Sequence, residues 1–341
     1  MLGSKAVIVG LEGLEVSNDE RNFFMKEKPL GFILFKRNID NPTQVKNLIR
    51  QLKECVEWDC PILIDQEGGR VARLRPPHWR KSVPAKCFAD IAAKDMDAAK
   101  QANYMNARLI GEELYELGIN VDCAPVCDLV FEGAHDIVGD RSFGGDPEKV
   151  AQLARQMAMG LADSGVLPIL KHIPGHGRAK ADSHESLPVV DASLEELRKT
   201  DFLVFEKLAN IPWAMTAHIT YTAIDTENPA TLSSKVINLI RNEIGFGGIL
   251  ISDDLSMKAL GGSFKERAEK SLKAGCDLVL HCNGKMEEML DVFAGTSLID
   301  DALNERLAKS FAFCSRDKNK SMDIKQAEDN LQLQLAQVMV G

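Results

Sequence analysis

The chain has 341 residues, 45% hydrophobic and 27% charged, which is enough length and apolar content to bury a large core without disulfide or metal staples. A formal net charge of −9, with basic residues scattered rather than gathered into a stripe, argues against nucleic acid as a partner. No stretch approaches the ~20 apolar residues that span a bilayer. The first apolar run is short and broken by Glu12 and Glu15, so no secretion signal is expected. A cytoplasmic chain with its eight cysteines reduced is the expectation.

Along the chain, short apolar runs alternate with longer amphipathic stretches. The predicted strands are Ala6–Val9, Gly31–Phe35, Pro61–Ile64, Asn120–Ala124, Leu167–Lys171, Trp213–Ala217, Gly248–Ser252 and Asp277–His281. Most are apolar throughout, as parallel strands covered by helices require. Helical periodicity is predicted over Thr43–Glu57, Ala98–Leu117, Pro147–Ser164, Ser193–Lys207 and Ser233–Ile244. Asp146 and Pro147 supply an N-cap and a first-turn proline for the third of these.

About eight strand-then-helix units predict a (β/α)8 TIM-type barrel forming a single domain over residues 1–341, with an open doubly wound sheet as the alternative. Chemistry-prone residues follow many strands (Asp65, Asp122, His172, His218, Asp253, His281), which suits a barrel mouth better than one switch point. From about Met286 a helical extension, with a charged break at Arg316–Asp323, is expected to pack outside the barrel or reach a neighbouring subunit. Cys123 and Cys127 are read as small packing residues around Pro125 rather than as a metal pair.

Four segments carry chemistry. Lys171–Pro188 reads K-H-I-P-G-H-G-R-A-K-A-D-S-H-E-S-L-P, follows a strand and has no regular periodicity. It holds His172, His176 and His184, with Pro174, Gly175 and Gly177 as expected hinges. Asp182, two residues before His184, is spaced to orient that imidazole for proton transfer. Ile249–Met257 places Asp253 at a strand end, with Asp254 as the alternative site residue or an N-cap. Asp65–Arg73, D-Q-E-G-G-R-V-A-R, offers Asp65 to sugar hydroxyls and Arg70 and Arg73 to carboxylates; a structural Glu67–Arg70 pair is the alternative. Gly139–Gly144, G-D-R-S-F-G, presents Arg141.

Together these segments, in this order from roughly Ala6 to Asn283, resemble the family 3 glycoside hydrolases, and within them the bacterial β-N-acetylhexosaminidases of the NagZ type. The resemblance implies a retaining mechanism with Asp253 as nucleophile, His184 as acid/base and Asp182 as its dyad partner. It implies that Asp65, Arg73, Arg141, Lys171 and His172 hold an N-acetylglucosamine ring. It further implies peptidoglycan recycling in the cytoplasm, on fragments bearing 1,6-anhydro-N-acetylmuramic acid, with no cofactor, no metal, and no nucleic-acid or membrane partner, in a monomer or weak homodimer. The chain departs from the family pattern at the L-R-P-P-H-W-R-K segment after Arg73, expected at the pocket rim, and at Ile173.

Three other readings stand beside this one. A glycoside phosphorylase would keep the intermediate and accept phosphate in place of water. A metal-dependent hydrolase would use His172, His176, His184 and Asp253, but Lys171 would crowd the cation and no H-x-H follows the first strand. A silent sugar-binding protein would carry the same residues without turnover.

Overall fold

The computed structural model describes residues 1–131, 138–179, 187–316 and 322–340. Eight parallel strands close into a barrel: β1 (Lys5–Val9), β2 (Pro29–Leu34), β3 (Ile62–Ile64), β4 (Val121–Asp122), β5 (Leu167–Ile173), β6 (Trp213–Thr216), β7 (Ile249–Asp254) and β8 (Leu278–His281). Each pairs with its neighbour in sequence, and β1 closes on β8 with Val7 opposite Val279.

The uniformly apolar strands are explained by two separate cores. Ala6 and Ile8 of β1 point into the barrel with Leu63, Cys123, Ile169, Met215, Ile251 and Leu280. Val7 and Val9 point outward to the helices with Ile62, Ile64, Leu170 and Leu250. Both faces are dry, so neither can be polar.

The helices are α1 (Asn18–Glu27), α2 (Pro42–Val56), α3 (Ala85–Ala92), α4 (Met96–Leu117), α5 (Pro147–Asp163), α6 (Leu194–Lys199), α7 (Asp201–Lys207), α8 (Ser234–Asn242), α9 (Phe264–Ala274), α10 (Met286–Ala294), α11 (Asp301–Phe311) and α12 (Ile324–Val340). Helix α2 buries Val45, Leu48, Ile49 and Leu52 on one face, each worth about 1.5–3 kcal/mol of burial. Asp146 caps α5 with Pro147 in its first turn, as expected.

Several expectations change. Ser193–Lys207 is two helices, because the Thr200 hydroxyl donates to the Glu196 carbonyl at 2.7 Å and Thr200 leaves helical geometry (φ −126°, ψ −87°). Strand β4 is shorter than predicted and stops before Pro125, which has no N–H for the ladder. Strands β5 and β7 run further than predicted, carrying His172 and Asp253 within the sheet. Helices α1, α3 and α9 lie outside the predicted set; α1 had a readable start, a capping box between Ser17 and Glu20.

The C-terminal region does more than decorate the outside. Helix α10 completes the last strand-helix unit, while α11 covers the N-terminal end of the barrel. Ile299 and Leu307 join the barrel interior, and the Trp213 indole donates to Ser310 at 2.8 Å. Helix α12 packs on α3 and α4. With that end sealed, the strand C-termini form the open mouth.

Candidate active site

Side-chain parity decides which strand-end residues enter the barrel. On β7, Ile249 and Ile251 point inward, so Asp253 continues the inward series, and Asp254 at the strand end also borders the cavity. Beyond β3, Leu63 points inward, and Asp65 and Glu67 follow it. On β5, Leu167 and Ile169 lead to Lys171, and a register shift between Lys171 and Ile173 lets His172 reach the same space. All six border one cavity of about 530 Å³, floored by Ile33, Met215, Leu280 and Cys282. Arg73, Arg141 and His176 join its wall.

Asp122 and His281 also end strands, yet neither borders the cavity, because their parity turns them away from the barrel axis. His281 is buried against Phe264, ring centroids 5.2 Å apart. His218 is likewise fully buried. It is held by Thr231 at 2.7 Å and the Asp254 carbonyl at 2.9 Å, and burial pushes its basicity down. Asp254 is structural too: its carboxylate accepts from the Ser256 and Cys282 amides at 2.9 and 3.0 Å.

A charge network lines one wall. Lys171, 3% exposed, donates to Asp65 at 2.9 Å and pairs with Glu67 at 2.6 Å. Arg73 donates to the other Asp65 oxygen at 2.8 Å, and Arg141 grips Glu67 with two bonds of 2.8 Å. Burial would raise both carboxyls. Lys171 and Arg73 outweigh it at Asp65, holding that group well below the carboxylate range, and Arg141 with Lys171 holds Glu67 at about 2. Three cations over two carboxylates leave one positive charge to face Asp253. Burial raises the Asp253 carboxyl, but His172, His218, the Asp254 amide and Lys171 together bring it below the ordinary value. It is therefore an anion at neutral pH.

The Glu67–Arg70 alternative is not formed; Arg70 pairs with Asp140 at 2.8 Å. Among the described residues, none of 74–81 borders the cavity. Arg80 turns inward, bonding Asn106 through its side-chain and backbone oxygens at 3.0 and 2.8 Å.

Gly175 and Gly177 are close-packing positions. A Cβ on Gly177 would collide with the Leu129 carbonyl, and one on Gly175 (φ +135°) would lie 2.9 Å from Asp201. Arg178 locks the same run by donating to Asp201, Glu196 and Thr200 at 2.7, 2.6 and 3.0 Å. Its guanidinium stacks 3.9 Å from the Phe131 ring. Asp182 and His184 lie outside the described residues.

Sequence reasoning passed over Asp128 and undervalued Glu67. Asp128 accepts from His172 and His176, and its only local signal was a carboxylate shortly beyond a strand. Glu67 had a better one, two residues after Asp65 on the same parity.

Asp122 gives a pH-dependent prediction. Its Oδ1 accepts from the Gln66 amide at 3.0 Å, while Oδ2 has no partner among the described residues. Burial raises its carboxyl to about 8. A folded value above the unfolded one means this group's stabilisation is complete below pH ~4 and is lost as pH rises through ~8. Asp122→Asn is expected to gain stability relative to wild type across that interval and level off above it. Melting curves at pH 4, 6, 8 and 9 check this, and a constant offset at every pH would refute it.

The sequence matches the glycosyl hydrolase family 3 N-terminal domain over residues 5–309. A β-hexosaminidase of Alkalilimnicola ehrlichii is 37% identical over 81% of this chain and 80% of its own length. One from Methylococcus capsulatus is also 37% identical, over 80% and 81%. Among solved structures, NagZ from Neisseria gonorrhoeae in complex with N-trifluoroacetyl-D-glucosamine superposes with a TM-score of 0.84 at 31% identity, covering 99% of this chain and 98% of that one. The chain therefore belongs to glycosyl hydrolase family 3, as a glycoside hydrolase of the β-hexosaminidase, NagZ type. No helix among the described residues is long and apolar enough to cross a membrane.

Proposed function

We propose that the protein is a retaining β-N-acetylglucosaminidase that removes terminal β-linked N-acetylglucosamine from peptidoglycan fragments during cytoplasmic cell-wall recycling. The observation that carries the reading is the convergence of Asp65, Arg73, Arg141, Lys171 and His172 on the cavity that holds the Asp253 carboxylate. Its volume, about 530 Å³, suits a sugar with part of its aglycone.

In this reading Asp253 attacks the anomeric carbon while protonated His184 donates to the departing oxygen. The bond to the aglycone breaks as the glycosyl–Asp253 bond forms. Positive charge developing at the ring oxygen is favoured by the adjacent carboxylate. Neutral His184, oriented by Asp182, then takes a proton from water, which releases the sugar with its β configuration retained. The Asp65–Lys171–Glu67–Arg141 network is fully hydrogen-bonded within the protein itself, which favours an ordered site for the transition state. The partner is an amino-sugar or muropeptide substrate, with no nucleic acid, membrane, metal or cofactor required, and the chain acts as a monomer or weak homodimer.

The test is turnover of p-nitrophenyl β-N-acetylglucosaminide, the matched glucoside and a GlcNAc–1,6-anhydroMurNAc disaccharide, each with and without phosphate. Cleavage of both amino-sugar substrates but not the glucoside, independent of phosphate, is expected. A sugar 1-phosphate product would convert the reading to a phosphorylase, and cleavage of neither amino sugar would end it.

A further inference from the structure

Asp128 lies six residues beyond the end of β4 and is only 1% exposed. Its Oδ1 accepts from the backbone amides of His172 and His176 at 3.1 and 2.7 Å, so one oxygen ties both ends of the turn that leaves β5. Its Oδ2 stands 2.7 Å from Nδ1 of His172. We propose that Asp128 is a positioning residue of this site, which fixes the ring orientation and tautomer of His172 and acts on substrate only through it. The proposal rests on reading the cavity as the sugar site.

A carboxylate can only accept, so the contact at Nδ1 requires the proton on that nitrogen. Nε2 is then the nitrogen left for the cavity that His172 borders. It accepts from a sugar hydroxyl when the ring is neutral and donates when the ring is charged. Asp128 is an anion under working conditions: burial would raise it, but the His172 ring and the His176 amide hold it well below the carboxylate range. The His176 ring packs edge-on against His172, centroids 5.5 Å apart, and blocks rotation from the other side. Beside it stands Asp253, whose charge is favoured by His172 more than by any other group. Asp128 borders the same cavity, but Oδ1 is taken by two amides and Oδ2 by the His172 ring, so in this chain of carboxylate, imidazole and carboxylate the last two are the groups left to meet the sugar. Asp128→Asn keeps an acceptor for the two amides but turns an N–H toward Nδ1, which favours the opposite tautomer and moves the proton to Nε2.

Two measurements test this. In uniformly ¹⁵N-histidine-labelled wild type, with His172 assigned by its loss in His172→Asn, the neutral ring is expected to carry its proton on Nδ1. A proton on Nε2 overturns the proposal whether or not any Asp128 variant folds. In a double-mutant cycle on p-nitrophenyl β-N-acetylglucosaminide, Asp128→Asn is expected to lose about 10²-fold in kcat/KM. Combined with His172→Asn, it should add less than about three-fold to the loss from His172→Asn alone. Losses that multiply in full would give Asp128 an independent structural role and overturn the inference while leaving the sugar site intact. A fully active His172→Asn would instead remove the sugar-site reading on which the inference rests.

Discussion

Asp253→Ala is expected to reduce kcat on an activated aryl N-acetylglucosaminide by about 10⁴-fold or more while the barrel stays folded. The carboxylate continues the inward series of β7 into the cavity, and the wall around it is already organised by the Lys171 network, so its removal leaves those contacts in place. Asp254 also borders the cavity, but its carboxylate is engaged by the Ser256 and Cys282 amides and the Ser256 hydroxyl, so it is not free to take the place of Asp253. His184→Ala should behave differently, since acid/base assistance is worth about 10²–10⁴-fold and least when the leaving group departs readily. Adding azide to Asp253→Ala should restore part of the rate and give the α-linked glycosyl azide, because the anion enters from the vacated face with a single inversion. Stopped assays with anomer-resolved product analysis and circular dichroism decide the matter. An active Asp253→Ala enzyme with β-configured product would remove Asp253 from the nucleophile role.

The second large effect is on stability. Lys171→Met removes the cation shared by Asp65 and Glu67 in a site where the lysine is 3% exposed. Arg73 keeps Asp65 Oδ2 and Arg141 keeps both Glu67 oxygens, but Asp65 Oδ1 loses its Lys171 partner and Glu67 loses one of its two cations. Breaking a buried pair from one side costs about 3–5 kcal/mol, because the surviving charges keep their desolvation penalty. The pH dependence follows from the depressed carboxyls. In wild type their contribution is present above the unfolded value near 4 and is lost as pH falls toward about 2 for Glu67. In Lys171→Met that contribution shrinks, so the deficit against wild type should be largest near pH 7 and narrow below pH ~4. Urea unfolding at pH 3, 5 and 7 measures it, and a deficit independent of pH would mean that packing, not charge, dominates at Lys171.

The two effects separate what the site needs. In the proposed mechanism Asp253 supplies chemistry and is expected to be removable without disturbing the fold, whereas Lys171 joins residues 106 positions apart and anchors the cavity wall at the barrel mouth. On the proposed function, stability and recognition rest on the same contact there.

Much of this was legible in the chain itself. Eight apolar runs, each followed by an amphipathic stretch, determined strand order and parallel pairing, since only a sheet buried on both faces tolerates strands such as Lys5–Val9 with no polar alternation. The motif residues were found at strand ends because catalytic side chains there need no help from loop geometry to face the mouth. Parity was readable too: counting by twos from Ile249 selects Asp253 over Asp254, and from Leu63 selects Asp65 and Glu67 together. Tertiary structure alone decided the partners. Glu67 had Arg70 three residues away, yet it pairs with Arg141, 74 positions distant, because barrel closure brings that guanidinium to the inward face while Arg70 turns to Asp140. Asp128 carried almost no signal, since its importance comes from two amides and a ring delivered by the next strand. Gly175 and Gly177 read as hinges in sequence, while the close contacts they make, where a Cβ would collide, were visible only in the folded chain. Local periodicity fixes how a segment folds and which face it buries. Which charges meet depends on closing the sheet, and that is set by all eight strands at once.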